Sequence, residues 1–272
     1  MITSMENAQV KHLVRLREKA KYRRECGQYI VEGPRMACEV PGGMLDAVYL
    51  SEHFAAQQKT ETEEILRTAG SAGARCEILS DAVFAKASGT VTPQGVLCIV
   101  RQRADTVEAL LHAPRPLHLL LLENIQDPGN LGTMLRTGEG AGITGIIADA
   151  RTADVYNPKV VRGTMGSVFR VPFVTVPDLT QCCTALRNAQ VQTAAMLPGA
   201  DADYTQADFT GDIAFLIGNE GNGLSTALRE AADLKIRIPM EGQVESLNAA
   251  VAAALCMYET KRQRDAAGKI RF

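Results

Sequence analysis

Three short stretches of this chain carry side chains that could grip an anion and let backbone approach a small ligand. In "ENIQDPGNLGTMLR" Asn130 is followed six residues later by Arg136. An arginine is always cationic and offers a planar fork that matches a phosphate or stabilises a developing oxyanion. In "LIGNEGNGLS", Gly218, Gly221 and Gly223 fall within six residues and surround Asn219 and Glu220; glycines there allow close approach of backbone to a ligand. In "IPMEGQVESLN", Ser246 and Asn248 stand at the head of a run of small apolar residues. Ser246 reads as the cap of that helix, which leaves Asn248 without a structural task.

The spaced glycines of "DPGNLGTMLRTGEGAG" raise the possibility of a dinucleotide-binding turn. That turn needs its glycines between strand and helix, whereas Gly138, Gly140 and Gly142 come after the helical segment "LGTMLRT" and end it. A nicotinamide-dependent oxidoreductase is therefore disfavoured. Arg136 falls about one and a half turns into that helix.

The elements that must position these loops alternate. Up to residue 100 a basic helix, the strands "QYIVEG", "LDAVYLS", "RCEILS" and "GVLCIVRQ", and helices at "PRMACEV" and "TETEEILRTAG" predict a compact α/β unit. "RADTVEALLHAPRPLH" reads as a connector, giving a first domain over 1–104, a linker over 105–116 and a second domain over 117–272. In the second, the apolar runs "LHLLLLE", "ITGIIAD", "VPFVTV", "VQTAAML" and "IAFLIGN" alternate with helices, the pattern of a mostly parallel sheet covered on both faces. The three polar loops then sit at strand ends, where ligands bind in such sheets.

Composition sets the frame. With 46% hydrophobic and 22% charged residues the chain has the make-up of an average soluble protein, and it contains no apolar run long enough to span a membrane. Met1 to Val10 lacks the apolar core of a secretory signal, so a cytoplasmic location is expected. Seven cysteines without CxxC pairs and four scattered histidines point to reduced thiols and to no metal site. "VKHLVRLREKAKYRREC" holds seven Lys or Arg against two Glu. As a helix it would turn Val10, Leu13, Val14 and Leu16 to a core and Lys11, Arg15, Lys19, Arg23 and Arg24 outward, either as a solvated face or as a footprint for a phosphate backbone.

Taken together and in this order, the three loops closely resemble the motifs of the SpoU/TrmH family of RNA ribose 2′-O-methyltransferases, in the SPOUT superfamily. Asn130 and Arg136 match its first motif. Gly218, Asn219, Glu220, Gly221, Gly223, Leu224 and Ser225 match its second, and Ile238, Pro239, Met240, Ser246, Leu247 and Asn248 its third. "NPKVVRGTMGSVF" and, more loosely, "YIVEGPRM" and "TPQGVLCIV" extend the likeness over nearly the whole chain.

The resemblance implies an α/β fold with a C-terminal SPOUT domain containing a trefoil knot, preceded by a smaller ribosomal-protein-like domain that binds RNA. It implies S-adenosylmethionine held in the knot, with Met196, Gly218, Asn219, Ile238, Met240 and Leu247 around the adenosine. It also implies a homodimer, for which the alanine face after "SLN", Ala250 and Ala253 included, would supply the contact. Methyl transfer from a sulfonium to a ribose hydroxyl needs alignment and charge stabilisation and no metal. Arg136 would act as electrostatic stabiliser and phosphate clamp, since a side-chain pKa above about 12 makes it a costly base. Asn130 and Asn248 would bond ribose or Arg136, Ser246 would stand beside them, and Glu220 would orient Arg136. Lys11, Arg15, Arg23 and Arg162 would hold RNA phosphates. The expected substrate is large-subunit ribosomal RNA; transfer RNA, or a catalytically inactive RNA-binding protein of the same fold, are the alternatives.

Overall fold

The computed structural model describes residues 1–244 and 246–268, and it divides into two compact units. The first comprises Met1–Arg103 and a later excursion of the chain, Tyr156–Phe169. It begins with helices α1 (Ala8–Glu18) and α2 (Ala20–Cys26), followed by β1 (Gln28–Glu32), α3 (Pro34–Glu39), β2 (Leu45–Ser51), α4 (Glu52–Gln57), α5 (Lys59–Ser71), β3 (Arg75–Leu79), α6 (Asp81–Ser88) and β4 (Val96–Arg101). Its sheet has the order β1-β4-β2-β3, with β4 antiparallel to β1 and β2, and β2 parallel to β3. The Asn7 side chain caps α1 by accepting from Gln9 N–H. Val10, Leu13 and Leu16, spaced three apart, then pack with Ile30, Tyr49, Phe84 and Ile99 in one core.

The basic segment is two helices rather than one. At Lys19 the backbone is extended (φ −119°, ψ 105°), and the chain restarts as α2. That break overturns the outward placement of Arg23. Its side chain is buried, 2% exposed, and its guanidinium donates to the carbonyls of Leu16 and Arg17 at 2.7 and 3.0 Å. Arg23 thus satisfies the orphan carbonyls at the end of α1 and presents no surface to an RNA phosphate.

Beyond Arg103 the chain runs through α7 (Val107–Leu111), β5 (His118–Leu122), α8 (Pro128–Ala141), β6 (Gly145–Asp149), α9 (Pro158–Thr164), β7 (Phe173–Val176), α10 (Leu179–Asn188), β8 (Gln192–Met196), β9 (Ala202–Asp203), β10 (Ile213–Ile217), α11 (Thr226–Ala231), β11 (Leu234–Arg237) and α12 (Ala249–Ala266), and all of these but α9 belong to the second unit. Among the described residues the second unit's seven strands lie in the order β7-β6-β5-β10-β8-β11-β9, and every neighbouring pair is parallel. Strands β5, β6 and β10 are buried along their whole length, as apolar runs without alternation require. Leu119, Leu121, Ala214 and Leu216 share one core with Leu179, Cys183 and Leu186 of α10 and Leu228 of α11. Alternation turns Phe215 to the other face, edge-on to Phe209 at 4.9 Å, and the Phe209 carbonyl accepts from Arg264 of α12.

Two parts of the sequence reading change in the structure. The short helical stretch read in the expected linker forms α7, but its Leu110 joins the second core and the segment belongs to the second unit rather than standing between the two. "NPKVVRGTMG", assigned to the second domain by the sequence, packs with the first: α9 lies on β1, Tyr156 stacks on Tyr29 with ring centroids 4.6 Å apart, and Arg103 donates to the Phe169 carbonyl at 3.1 Å.

In the second unit α8 and α12 pack together. A β-carbon at Gly138 would collide with the Ile143 side chain and only touch Met257 Sδ, 3.4 Å away, so the glycine makes room for Ile143 to fold back over the end of α8 beside α12. Ala249, Ala250 and Ala253 are buried within the same chain by this arrangement, so the alanine face is already used and is not free for a second copy.

Candidate active site

Loop 123–127, between β5 and α8, is set by its own hydrogen bonds. Asp127 caps α8, accepting from Asn130 N–H at 2.8 Å, and Pro128 takes the first helical position, which needs no donor. The helix therefore starts at Pro128, three residues earlier than the periodicity of "LGTMLRT" suggests, and Arg136 lies more than two turns inside it. Asn124 takes a left-handed conformation, φ 55°, that asparagine tolerates. Its N–H donates to Asp149 at the end of β6, and its carbonyl accepts from the Asn219 amide at 2.8 Å. Burial pushes the Asp149 carboxyl up, but the Asn124 N–H, Arg151 and Thr152 outweigh it and hold the group below the ordinary carboxylate range.

Loop 218–225, after β10, is folded on Asn219. The backbones of Asn219 and Gly223 exchange hydrogen bonds at 3.1 and 2.8 Å, and Asn219 Oδ1 accepts from the N–H groups of Gly221 and Asn222. A β-carbon at Gly218 would fall 2.2 Å from the backbone of Gly223 and Leu224, so only glycine fits. Ser225 caps α11, and its N–H donates to the buried Glu123 carboxylate at 2.7 Å, joining this loop to the end of β5.

The three loops meet in one chain of polar contacts. Asn248, not Ser246, caps α12: its Oδ1 accepts from the N–H groups of Ala250 and Val251 at 2.9 and 3.3 Å. That fixes its Nδ2 toward Asn130 Oδ1, 2.9 Å away, and Asn130 Nδ2 in turn donates to Glu220 Oε1 at 2.9 Å. A carboxylate can only accept and helix N–H groups can only donate, so the direction of both amides is determined by their neighbours. Burial pushes the Glu220 carboxyl up. Hydrogen bonds from Asn130 and from backbone N–H groups, those of Gln126 and Asp127 among them, overcome this and hold it below its ordinary value.

Beside this relay the second unit has a cavity of about 350 Å³, a volume suited to a small ligand. Met196, Gly218, Asn219, Ile238, Met240 and Leu247 all line it, together with Glu220, Ser246, Leu197, Pro198 and Arg229. Apolar walls for a flat heterocycle, backbone turned inward by glycines and one side chain of each charge match what S-adenosylmethionine would require.

Of the residues expected at the reacting end, the structure brings Asn130, Glu220 and Asn248 into contact and places Ser246 on the cavity wall. Arg136 is exposed on α8 and has no hydrogen-bond partner among the described residues. Glu220 meets Asn130 rather than Arg136. In the first unit Lys11 is exposed and paired with Glu6 at 2.6 Å, Arg15 is exposed with its guanidinium 3.8 Å from the Tyr22 ring centre, and Arg162 lies exposed on α9. Sequence reasoning missed Glu123, Asp149 and Arg229. The rule that strand ends carry function in parallel sheets could have flagged the first two; nothing local singles out Arg229.

The chain is similar to known proteins over nearly its whole length. Residues 118–258 match the model of the SpoU rRNA Methylase family, and residues 7–98 that of an MRM3-like substrate binding domain. The chain is 32% identical over 260 residues to the 23S rRNA (guanosine(2553)-2′-O)-methyltransferase RlmP of Bacillus subtilis, covering 96% of this chain and 98% of the relative. It is 37% identical over 214 residues to the 23S rRNA (guanosine-2′-O-)-methyltransferase RlmB of Burkholderia sp., covering 77% of this chain and 86% of that one. The crystal structure of the SpoU methyltransferase AviRb from Streptomyces viridochromogenes aligns with a TM-score of 0.85 at 28% identity, over 96% of this chain and 99% of that one. An AdoMet-bound rRNA methyltransferase from Sinorhizobium meliloti aligns with a TM-score of 0.83 at 28% identity, over 96% and 97% of the two chains.

Proposed function

The chain belongs to the SpoU rRNA methylase family, and from that premise we propose that it transfers a methyl group from S-adenosylmethionine to one ribose 2′-hydroxyl of large-subunit ribosomal RNA. The observation that carries this reading is the cavity flanked by the Asn248–Asn130–Glu220 relay. When bound, the cofactor supplies an activated methyl on a sulfonium. The protein's share is to align the ribose oxygen, exclude water and stabilise the charge that grows on that oxygen.

In this reading the walls formed by Leu197, Ile238, Met240 and Leu247 hold the adenine, and backbone of the 218–223 loop holds the ribose of the cofactor. Asn130 and Asn248 each spend one amide hydrogen on the relay and keep a second for the ribose of the substrate. Arg136, with its fork open, grips the adjoining phosphate and stabilises the 2′-oxyanion; the hydroxyl proton leaves to solvent or to a phosphate oxygen, since the guanidinium stays charged. Ser246 offers a hydroxyl on the cavity wall. Lys11, Arg15 and Arg162 contribute phosphate contacts in the first unit, and Arg23 does not.

The trefoil knot belongs to the same reading, as does a cytoplasmic place of action on ribosomal RNA; among the described residues no helix is long and apolar enough to cross a membrane. The homodimer belongs to it too, on a different face of α12 from the buried Ala249, Ala250 and Ala253. Val251 and Tyr258, 48% and 49% exposed and seven residues apart, form a stripe with Ala254 and Leu255 that suits a two-fold contact with a second copy. Val251→Arg and Tyr258→Glu should sediment as monomers, and unchanged dimers, or a monomeric wild type, would remove this face from the account.

The experiment is methylation of ribosomal RNA in vitro with labelled S-adenosylmethionine, mapped by resistance to alkaline cleavage, because a methylated 2′-oxygen cannot attack its phosphate. One protected position in large-subunit RNA is expected. Label appearing in transfer RNA alone would reassign the substrate, and binding of RNA without any transfer would make the chain an inactive binder.

A further inference from the structure

The cavity has charge at two points among the described residues that line it, Glu220 and Arg229. Glu220 is committed to the relay through Asn130 and to the backbone of Gln126 and Asp127. Arg229 is not. This side chain on α11 donates from Nε to the Leu224 carbonyl at 2.7 Å, and its Nη1 and Nη2 have no hydrogen-bond partner among the described residues. The Nε contact holds the guanidinium against the loop, with Nη2 3.6 Å from where a β-carbon on Gly223 would stand. A tethered guanidinium with its two outer nitrogens open is shaped to receive a carboxylate in two parallel bonds.

This step rests on the reading that the cavity takes S-adenosylmethionine, a molecule with a neutral adenosine at one end, a sulfonium in the middle, and an ammonium and a carboxylate on its amino-acid tail. We infer that Arg229 grips that carboxylate and thereby fixes which way the cofactor lies, with the adenine on the apolar wall of Leu197, Ile238 and Met240 and the sulfonium on the Glu220 side. The opposite orientation sets the carboxylate beside Glu220, where like charges repel, and leaves Arg229 without a partner. The preferred one puts the positive sulfonium next to the carboxylate that holds Asn130, so the transferable methyl faces the relay. The product, S-adenosylhomocysteine, keeps the carboxylate and loses the sulfonium charge. Arg229 therefore holds substrate and product alike, and Glu220 favours the substrate.

The test is calorimetric titration of the full chain with two ligands, S-adenosylhomocysteine and 5′-methylthioadenosine, which share the nucleoside and thioether and differ in the amino-acid tail. Arg229→Gln should weaken S-adenosylhomocysteine about 10-fold, the loss of one charge-assisted pair at a solvent-accessible site, and leave methylthioadenosine unchanged, which also shows that the variant is folded. Arg229→Lys should fall between, keeping charge without the fork. An equal loss on both ligands, or an unchanged affinity for S-adenosylhomocysteine, overturns the inference while leaving the cofactor reading intact. A wild type that binds neither ligand overturns the cofactor reading itself and the inference with it.

Discussion

The basic segment of the first unit and the three-loop cluster of the second are both dense in polar side chains, and the structure treats them in opposite ways. In the segment the charges are handled one by one: Arg23 closes the end of α1, Lys11 pairs with Glu6 at the surface, Arg15 lies over Tyr22, and Lys19, Lys21 and Arg24 stay exposed. In the cluster, residues 90 and 118 positions apart in sequence bond to one another, Asn130 to Glu220 and Asn130 to Asn248. A run of like charges states only composition along a line, and a single helix break redirects it. Polar groups drawn together from distant loops, each amide held in one direction, are organised at a cost in conformational freedom that a packing role does not need.

Substitutions in the relay should have the largest effect. Asn130→Asp places a second carboxylate where the Asn130 amide now donates to Glu220 at 2.9 Å, removing a donor and adding repulsion. Methyl transfer should fall on the order of 100-fold from misplacement of the loop. Adding Glu220→Gln to that variant restores a donor–acceptor pair and should recover part of the loss; a double variant no better than the single would mean that the relay does not align the site.

At Arg23 the effect should be on stability alone. Arg23→Ala leaves the Leu16 and Arg17 carbonyls without their donor in a buried place, costing about 1–3 kcal/mol, measured by urea unfolding. The salt dependence of RNA binding should not move. A flatter salt slope without loss of stability would return Arg23 to the RNA face.

Smaller still is the effect of reversing Lys11 and Arg15 to Glu. RNA binding should weaken several-fold, and the slope of log affinity against log salt should drop by roughly one for each phosphate no longer neutralised; an identical slope makes α1 a solvated face. The smallest effect is one of pH. Because the folded Glu220 carboxyl lies below its ordinary value of 4.5, its contribution to stability is complete above that value and is lost as pH falls through the folded value beneath it. The stability gap between wild type and Glu220→Gln should therefore be constant at neutral pH and close only below about pH 4.5. A gap that changes between pH 6 and 8, roughly the range of histidine titration, would assign the linkage to another group.

Much of the second unit was legible because its strands are apolar without alternation, and loops following them had to lie at the sheet's C-terminal edge. Strand β11 was not, since "LKIR" is short and half charged, and only its Ile236 is buried. The segment around α9 carries no signal of which core it joins; that depends on Tyr156 finding Tyr29, 127 positions earlier in the chain. Asn248 and Ser246 are equally good caps by residue type, and only the geometry of the α12 entry decides between them. The alanines of α12 announced close helix packing correctly but not whether the partner was α8 of the same chain or another copy. Arg136 was found through its residue type and its match to the family's first motif; on α8 it is exposed and makes no hydrogen bond to Asn130 or Glu220 among the described residues.

If Arg136 stabilises charge that appears only as the 2′-oxygen attacks, the single-turnover rate of Arg136 variants with cofactor saturating reports it directly. Arg136→Ala should lose on the order of 100-fold or more in rate while titrating S-adenosylmethionine as the wild type does. Arg136→Lys should recover only a small part of that rate, having charge without the planar fork. A lysine variant turning over at nearly the wild-type rate, or an alanine variant whose loss lies wholly in cofactor affinity, would contradict a transition-state role for Arg136.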